Sequence, residues 1–293
     1  MQLFIDQLLN GVGTGVVYAS VGLAIVLIYR TTGMLNFAQG EMALFSAFVT
    51  WWLTEQGLGV WLALAGSMVF SFVAGAVIER LIIRPVERTK NPLNVVIVTL
   101  GLFLAINAIA QLIFIKPGQE ALQMPHFFPD GEWLGVQKST IGLLVVLVVE
   151  CVLLYVLLQK TCIGLALRAV ASNVESSRLV GINTGQMLML GWALAAALGA
   201  VAGSLAAARQ SGFDASLMQG VLVYAFAGVA LGGFDSPVGA VVGGLIVGIA
   251  ESLTIQYVDA LNGIELIVPF ALILVVLLVR PNGLFGRRIV ERV

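Results

Sequence analysis

Three carboxylates stand out in apolar stretches of this chain: Glu41, Glu150 and Glu251. A carboxyl group in hydrocarbon is costly and marks a candidate for proton relay, ion coupling or a hydrogen-bonded gate. Glu150 is central in its run and Glu251 lies about two-thirds along its own. No basic residue shares their depth. The structural reading of both is a protonated carboxyl bonded to a neighbouring helix. Glu41 differs, because it closes a polar run: Asn36, Phe37, Ala38, Gln39, Gly40, Glu41. Asn36, Gln39 and Glu41 need partners that only protein or water supplies. One reading is an irregular, protein-buried backbone beside a pathway or a subunit interface. On a helix, Phe37 and Glu41 would share a face, and Gly40 would admit a neighbouring backbone. The competing reading is a cap, in which these side chains satisfy free N–H groups at a helix start.

Other chemistry is missing. No Gly-Lys dipeptide occurs, so the chain has no phosphate-binding loop of the G-x-x-x-x-G-K-[ST] type. The one histidine, His126, excludes a multi-histidine metal site. Cys151 lies in an apolar run and Cys162 just beyond one, and both read as inert. No cofactor is expected. Gly11, Gly13 and Gly15 imitate a dinucleotide fingerprint, but they open an apolar helix rather than follow a strand. Without a nucleophile–base pair or metal ligands, a membrane enzyme is disfavoured.

The elements that hold these residues are membrane helices. Of 293 residues, 59% are hydrophobic and 11% charged, against about 25% charged in a soluble domain. Mean hydropathy is +1.02. Net charge −1 leaves no basic surface for nucleic acid. Nine apolar segments run roughly over 8–29, 36–53, 59–82, 94–115, 140–158, 187–208, 218–232, 238–257 and 263–279. Most approach the ~20 residues that cross a bilayer. Segment 218–232 is short, with Gly228, Gly232 and Gly233 near its end, so it either spans or re-enters. The fold class is therefore all-α: a polytopic transmembrane bundle of about eight or nine segments in a single domain, 1–293. The first run is too long, and too poor in preceding basic residues, for a cleavable signal, so it is expected to stay as a span.

Charge sets the orientation. With the N-terminus outside and the C-terminus inside, Arg30, Arg80, Arg84, Arg88, Lys90, Lys160, Arg168, Arg178, Arg280, Arg287, Arg288 and Arg292 fall inside. Only Lys116, Lys138 and Arg209 fall outside, a split of 12 to 3. The outer side collects Asp6, Glu55, Glu120, Asp130, Glu132, Asp214, Asp259 and Glu265. Residues 116–139, with Pro117, Pro125, Pro129 and Trp133, form an outer loop. Residues 159–186 form an inner loop. Within it, Leu165 to Val180 reads as one short amphipathic helix bounded by Gly164 and Gly181, open to a soluble partner. Arg168, Ala169, Asn173, Glu175, Arg178 and Gly181 are its candidate coupling residues, with Gly181 ending the helix in a left-handed conformation. Small-xxx-small pairs recur at Gly11/Gly15, Gly199/Gly203, Gly228/Gly232, Gly239/Gly243 and Gly244/Gly248, which bring helix backbones together. Tyr18-Ala19 and Tyr224-Ala225 sit in a faint internal repeat.

Three stretches then carry a resemblance. Gly33-Met34-Leu35-Asn36-Phe37-Ala38-Gln39-Gly40-Glu41 resembles the signature of permeases of branched-chain amino acid ABC importers. Leu167-Arg168-Ala169-Val170-Ala171-Ser172-Asn173, continued by Leu179-Val180-Gly181-Ile182-Asn183, is similar to that family's ATPase-docking segment. Leu278-Val279-Arg280-Pro281-Asn282-Gly283-Leu284-Phe285-Gly286 resembles its C-terminal ending. Length, hydropathy and motif order match over the whole chain, closest to the shorter of the two paired permeases. Where that family often carries Ala, this chain has Ser176-Ser177. The resemblance implies a multi-pass subunit of the bacterial cytoplasmic membrane. Its implied partners are a second permease, two cytoplasmic ATPases and an outer solute-binding protein. It implies branched-chain or related hydrophobic amino acids as substrate. The family also takes in importers of urea, short amides and aromatic acids. The alternative from the residues alone is an ion-coupled secondary transporter using Glu150 and Glu251.

Overall fold

The computed structural model describes residues 2–87, 92–116, 118, 121–133, 135–258, 264 and 266–286. Arg88, Lys90, Pro117, Glu120, Asp259, Glu265, Arg287, Arg288 and Arg292, used above to assign sides, lie outside the described residues. The elements in chain order are α1 (Gln2–Thr32), α2 (Gln39–Glu55) and α3 (Val60–Ile78). A π-helical turn (Glu79–Ile83) leads into α4 (Arg84–Glu87). Then come α5 (Pro92–Phe114), the two-residue strands β1 (Glu132–Trp133) and β2 (Val136–Gln137), and α6 (Lys138–Lys160). The remainder is α7 (Cys162–Ser172), α8 (Val174–Leu179), α9 (Thr184–Arg209), α10 (Leu217–Gly232), α11 (Pro237–Tyr257) and α12 (Ile267–Val279).

Six helical stretches among the described residues are long and apolar enough to cross a membrane: Leu3–Thr32, Val60–Glu87, Leu93–Phe114, Lys138–Lys160, Thr184–Arg209 and Pro237–Tyr257. The apolar segments at 36–53, 218–232 and 263–279 become shorter helices of 17, 16 and 13 residues. α10 is one unbroken helix, with Gly220 in its first turn and Gly228 and Gly232 toward its C-terminal end. The loop between α5 and α6 carries a small antiparallel hairpin, pairing Glu132 with Gln137 and Trp133 with Val136.

Contacts divide the chain into two compact units. The first is Met1–Val26, Phe128–Leu147 and Val221–Val293; the second is Leu27–Phe127 and Val148–Gly220. In the first, glycines let backbones touch. A Cβ on Gly11 would lie 2.7 Å from the Ile249 Cα, and one on Gly228 2.8 Å from the Gly244 Cα. Tyr18 and Tyr224, the two tyrosines of the faint repeat, stack with ring centroids 5.1 Å apart. The tail folds back on the end of α10: Leu284 and Phe285 N–H donate to the Leu231 and Gly232 carbonyls, each at 2.9 Å. Gly233, with φ +107°, permits this, because a Cβ there would meet the Gly286 nitrogen at 2.8 Å.

The second unit is built on α2, α3 and α9. Gly75 faces α9 so closely that a Cβ would lie 2.7 Å from the Ala196 Cβ. Hydroxyls tie the same helices together. Ser46 and Ser71 share a 2.6 Å bond, Ser67 Oγ donates to the Ser46 carbonyl at 2.7 Å, and Thr50 and Ser204 meet at 2.8 Å. Lipid offers no hydrophobic drive between helices, so close packing and such bonds, about 0.6 kcal/mol each on average, hold them.

Candidate functional site

α1 ends at Thr32, and Gly33, with φ +71°, turns the chain away. Residues 33–38 follow without regular structure, and α2 starts at Gln39. The irregular backbone expected over 36–41 thus extends only to Ala38. Gln39, Gly40 and Glu41 form the first helical turn. Phe37 precedes the helix, so the shared face of Phe37 and Glu41 does not arise. Asn36 does not cap α2 either. Its Oδ1 accepts from the Ala38 N–H at 3.0 Å, a local turn before the helix, and the N-cap residue is Ala38, without a side-chain cap.

The polar side chains of this run are fully inside the unit: Asn36 is 1% exposed, Gln39 0% and Glu41 0%. Gln39 Nε2 donates to the Ala195 carbonyl at 3.0 Å, and Asn36 Nδ2 reaches Gln39 Oε1 at 3.4 Å. Asn107 Nδ2 donates to Glu41 Oε2 at 2.9 Å and to the Ala215 carbonyl at 2.8 Å, and Gln111 Nε2 donates to Asn107 Oδ1 at 2.6 Å. Among the described residues, Glu41 Oε1 has no hydrogen-bond partner. Ala195 lies about 11 residues, roughly 17 Å, along α9 from its start. α2 therefore begins level with the middle of α9, not with its end. It is a 17-residue helix whose N-terminal turn, holding Glu41, abuts the interior of α9. A carboxylate in the first turn complements the positive end of the helix dipole.

Beside this knot along α5 opens a groove of about 460 Å³, with Asn107, Gln111 and Gln219 among Phe103, Leu104 and Leu112. Sequence reasoning missed Asn107, Gln111 and Gln219. Uncharged amides in an apolar run carry little signal, although Asn107 and Gln111 at i, i+4 spacing were there to be read.

Glu79 was also missed. It is 0% exposed and holds Arg84 in a two-point pair, Nε to Oε1 at 3.0 Å and a terminal guanidinium nitrogen to Oε2 at 2.7 Å. Arg84 further donates to the Gly185 carbonyl at 2.6 Å, joining α4 to the first turn of α9. The five-residue separation fits the π-helical turn between the two, whose backbone bonds run i to i+5.

The segment between α6 and α9 is two helices, not the single one expected over 165–180. Asn173 breaks it, with an extended backbone that ends α7 and a side chain that caps α8 by accepting from the Ser176 N–H at 2.8 Å. Gly164 is no boundary. It lies inside α7, where a Cβ would meet the Leu158 backbone at 2.6 Å, so it is there for close approach. Thr161 caps α7 instead, accepting from the Gly164 N–H at 3.0 Å. Leu167 and Val170 are buried beneath α7, with Arg168 and Ala169 partly covered. Arg168 bonds Gln159 Oε1 at 3.0 Å, and Arg178 Nε donates to Thr184 Oγ1 at 3.0 Å. Asn173, Glu175, Arg178 and Gly181 are exposed, Gly181 with φ +85°. Beside them Leu179 is 89% exposed and Val180 76%, an apolar tip that sequence reading had not singled out.

Glu150 is buried in α6, 4% exposed. Glu251 Oε2 accepts from the Tyr18 hydroxyl at 2.5 Å, a bond between α11 and α1. Cys151 and Cys162 are both free thiols; Cys162 is exposed at the start of α7 rather than buried.

A family model described as "Branched-chain amino acid transport system / permease component" matches residues 7–277. The chain is 31% identical to the high-affinity branched-chain amino acid transport system permease protein LivH of Escherichia coli (strain K12), over 99% of this chain and 98% of that one. It is 30% identical to BraD of Pseudomonas aeruginosa, a protein of the same description, again over 99% and 98%. It is 28% identical to the probable branched-chain amino acid transport permease protein LivH of Methanocaldococcus jannaschii, over 91% and 87%.

Proposed function

Because the chain belongs to the family of branched-chain amino acid transport system permease components, we propose that it is a membrane-spanning subunit of an ATP-driven importer. Its substrates are branched-chain or related hydrophobic amino acids. It forms one permease domain, 1–293, in the bacterial cytoplasmic membrane, with the N-terminus outside and the C-terminus inside. A second permease completes the pathway, and an outer binding protein delivers the ligand. Two cytoplasmic ATPases supply the energy, in keeping with the missing phosphate-binding loop of this chain.

The observation that carries the coupling half of this reading is the exposed α7–α8 pair, set between two long spans and crowned by Leu179 and Val180. Arg168, Ala169, Asn173, Glu175, Arg178 and Gly181 shape the docking face. Arg178, bonded to Thr184, links that face to α9, and α9 in turn holds Gln39 through Ala195. A push on α8 thus has a continuous hydrogen-bonded route to the start of α2. There Asn36, Phe37, Gln39, Gly40 and Glu41 border the pathway and act as its gate. Glu41 acts through Asn107 rather than by touching solute.

The test is ATPase activity of the assembled complex, with and without leucine-loaded binding protein. Gly181→Val forces a β-branched residue to φ +85°, a cost of about 1–2 kcal/mol in the docking turn. Combined with Arg168→Ala, it is expected to abolish stimulation while the complex still assembles. Stimulation equal to wild type would sink the coupling role.

A further inference from the structure

The groove beside Asn107 offers both amides and hydrocarbon. Gln111 and Gln219 are exposed in it, and Phe103, Leu104 and Leu112 supply hydrocarbon. Gln111, three residues from the end of α5, and Gln219, in the first turn of α10, present exposed amides that hydrocarbon cannot satisfy. Asn107 spends its amide on Glu41, Ala215 and Gln111, so it is locked. Gln111 spends one N–H on Asn107, which leaves its second N–H and its carbonyl turned to the groove. Glu41 and Asn107 thereby fix the orientation of Gln111 from behind.

We infer that this groove is a transient binding site for the amino acid itself, on its way from the outer mouth to the gate. The ligand class is a zwitterionic amino acid with an aliphatic side chain. The Gln111 and Gln219 carbonyls accept from its ammonium group, their N–H groups donate to its carboxylate, and its side chain lies along Phe103, Leu104 and Leu112. Neutral amides suit a relay, because they bind both charges of the zwitterion and hold neither strongly. This inference rests on the import reading above and adds a place and an orientation to it.

The experiment uses the complete complex in proteoliposomes, with photoactivatable diazirine leucine loaded on the binding protein. Irradiation during turnover is expected to label the 103–112 stretch, and an excess of unlabelled leucine to suppress it. Gln219→Leu breaks no side-chain hydrogen bond among the described residues, so it tests the ligand and not the fold. It is expected to lower leucine uptake per complex about fivefold, the worth of a lost hydrogen bond, with the complex assembled in normal amount. Gln111→Leu is expected to do the same, and Gln219→Asn to restore part of the loss. Labelling confined to other parts of the chain, or unchanged uptake in Gln219→Leu, would overturn the site while import stands. A wild-type complex that moves no leucine would overturn the import reading instead.

Discussion

Asn107→Ala is the most informative single change. Asn107 carries three hydrogen bonds: two donated, to Glu41 Oε2 at 2.9 Å and to the Ala215 carbonyl at 2.8 Å, and one accepted from Gln111 at 2.6 Å. The Ala215 carbonyl has a second lone pair, and the exposed Gln111 can turn outward, so those losses are small. The Glu41 loss is not. Glu41 is 0% exposed, and its other oxygen already lacks a partner, so the substitution strips the carboxyl of the donor that satisfies it. Leaving such a group unsatisfied costs about 1–3 kcal/mol, with the upper end for a charged acceptor. Adding about 0.6 kcal/mol for each of the two minor bonds gives roughly 2–4 kcal/mol in all. The assay is equilibrium unfolding in mixed detergent–SDS micelles, read by tryptophan fluorescence. A double-mutant cycle isolates the pair. With Glu41→Leu in place no carboxyl is left to orphan, so Asn107→Ala should then cost at least about 1 kcal/mol less than it does alone. Additive losses would refute the claim that Asn107 is there for Glu41.

Other outcomes follow from the same geometry. Gly203 faces the backbone of Ala43, whereas Gly101 has nothing within 4 Å of a would-be Cβ. Gly203→Val should therefore destabilise by about 1–3 kcal/mol by overpacking and Gly101→Val by less, measured in the same micelles; equal effects would contradict the α2–α9 packing. Tyr18→Phe removes the phenol that Glu251 accepts from and should cost about 1–2 kcal/mol, with uptake per complex unchanged when an uncoupler collapses the proton gradient. Uptake that falls with the gradient would instead revive a coupling acid at Glu251. Cys162 is exposed at the start of α7. In a Cys151→Ser background an impermeant maleimide should label it in inside-out vesicles and not in intact cells, and the reverse pattern would invert the topology.

Hydropathy made the membrane elements legible because lipid imposes one demand on every span. That demand says little about what spans do to each other. The run from Asn36 to Glu41 was visible because three polar side chains so close together are costly anywhere in a bilayer. Its depth was not visible, since only the Gln39–Ala195 bond, 156 residues apart in sequence, reveals that α2 starts halfway along α9. Asn107 was hidden for the same reason: its partner Glu41 is 66 residues away. Glu79 was hidden by local geometry, because five-residue pairing with Arg84 falls outside the i, i+4 rule of an α-helix and needs the π-helical turn. Gly164 misled because a glycine that ends a helix and a glycine that admits a neighbour look identical in sequence. Asn173 was legible in principle, since asparagine is among the strongest N-caps.

The most direct test of the whole account is leucine uptake by proteoliposomes that contain this chain, its partner permease and both ATPases. Uptake should require ATP on the ATPase side and leucine-loaded binding protein on the other, proceed without any ion gradient, and vanish when this chain is left out. Leucine accumulation by this chain alone, driven by a proton or sodium gradient, would contradict it.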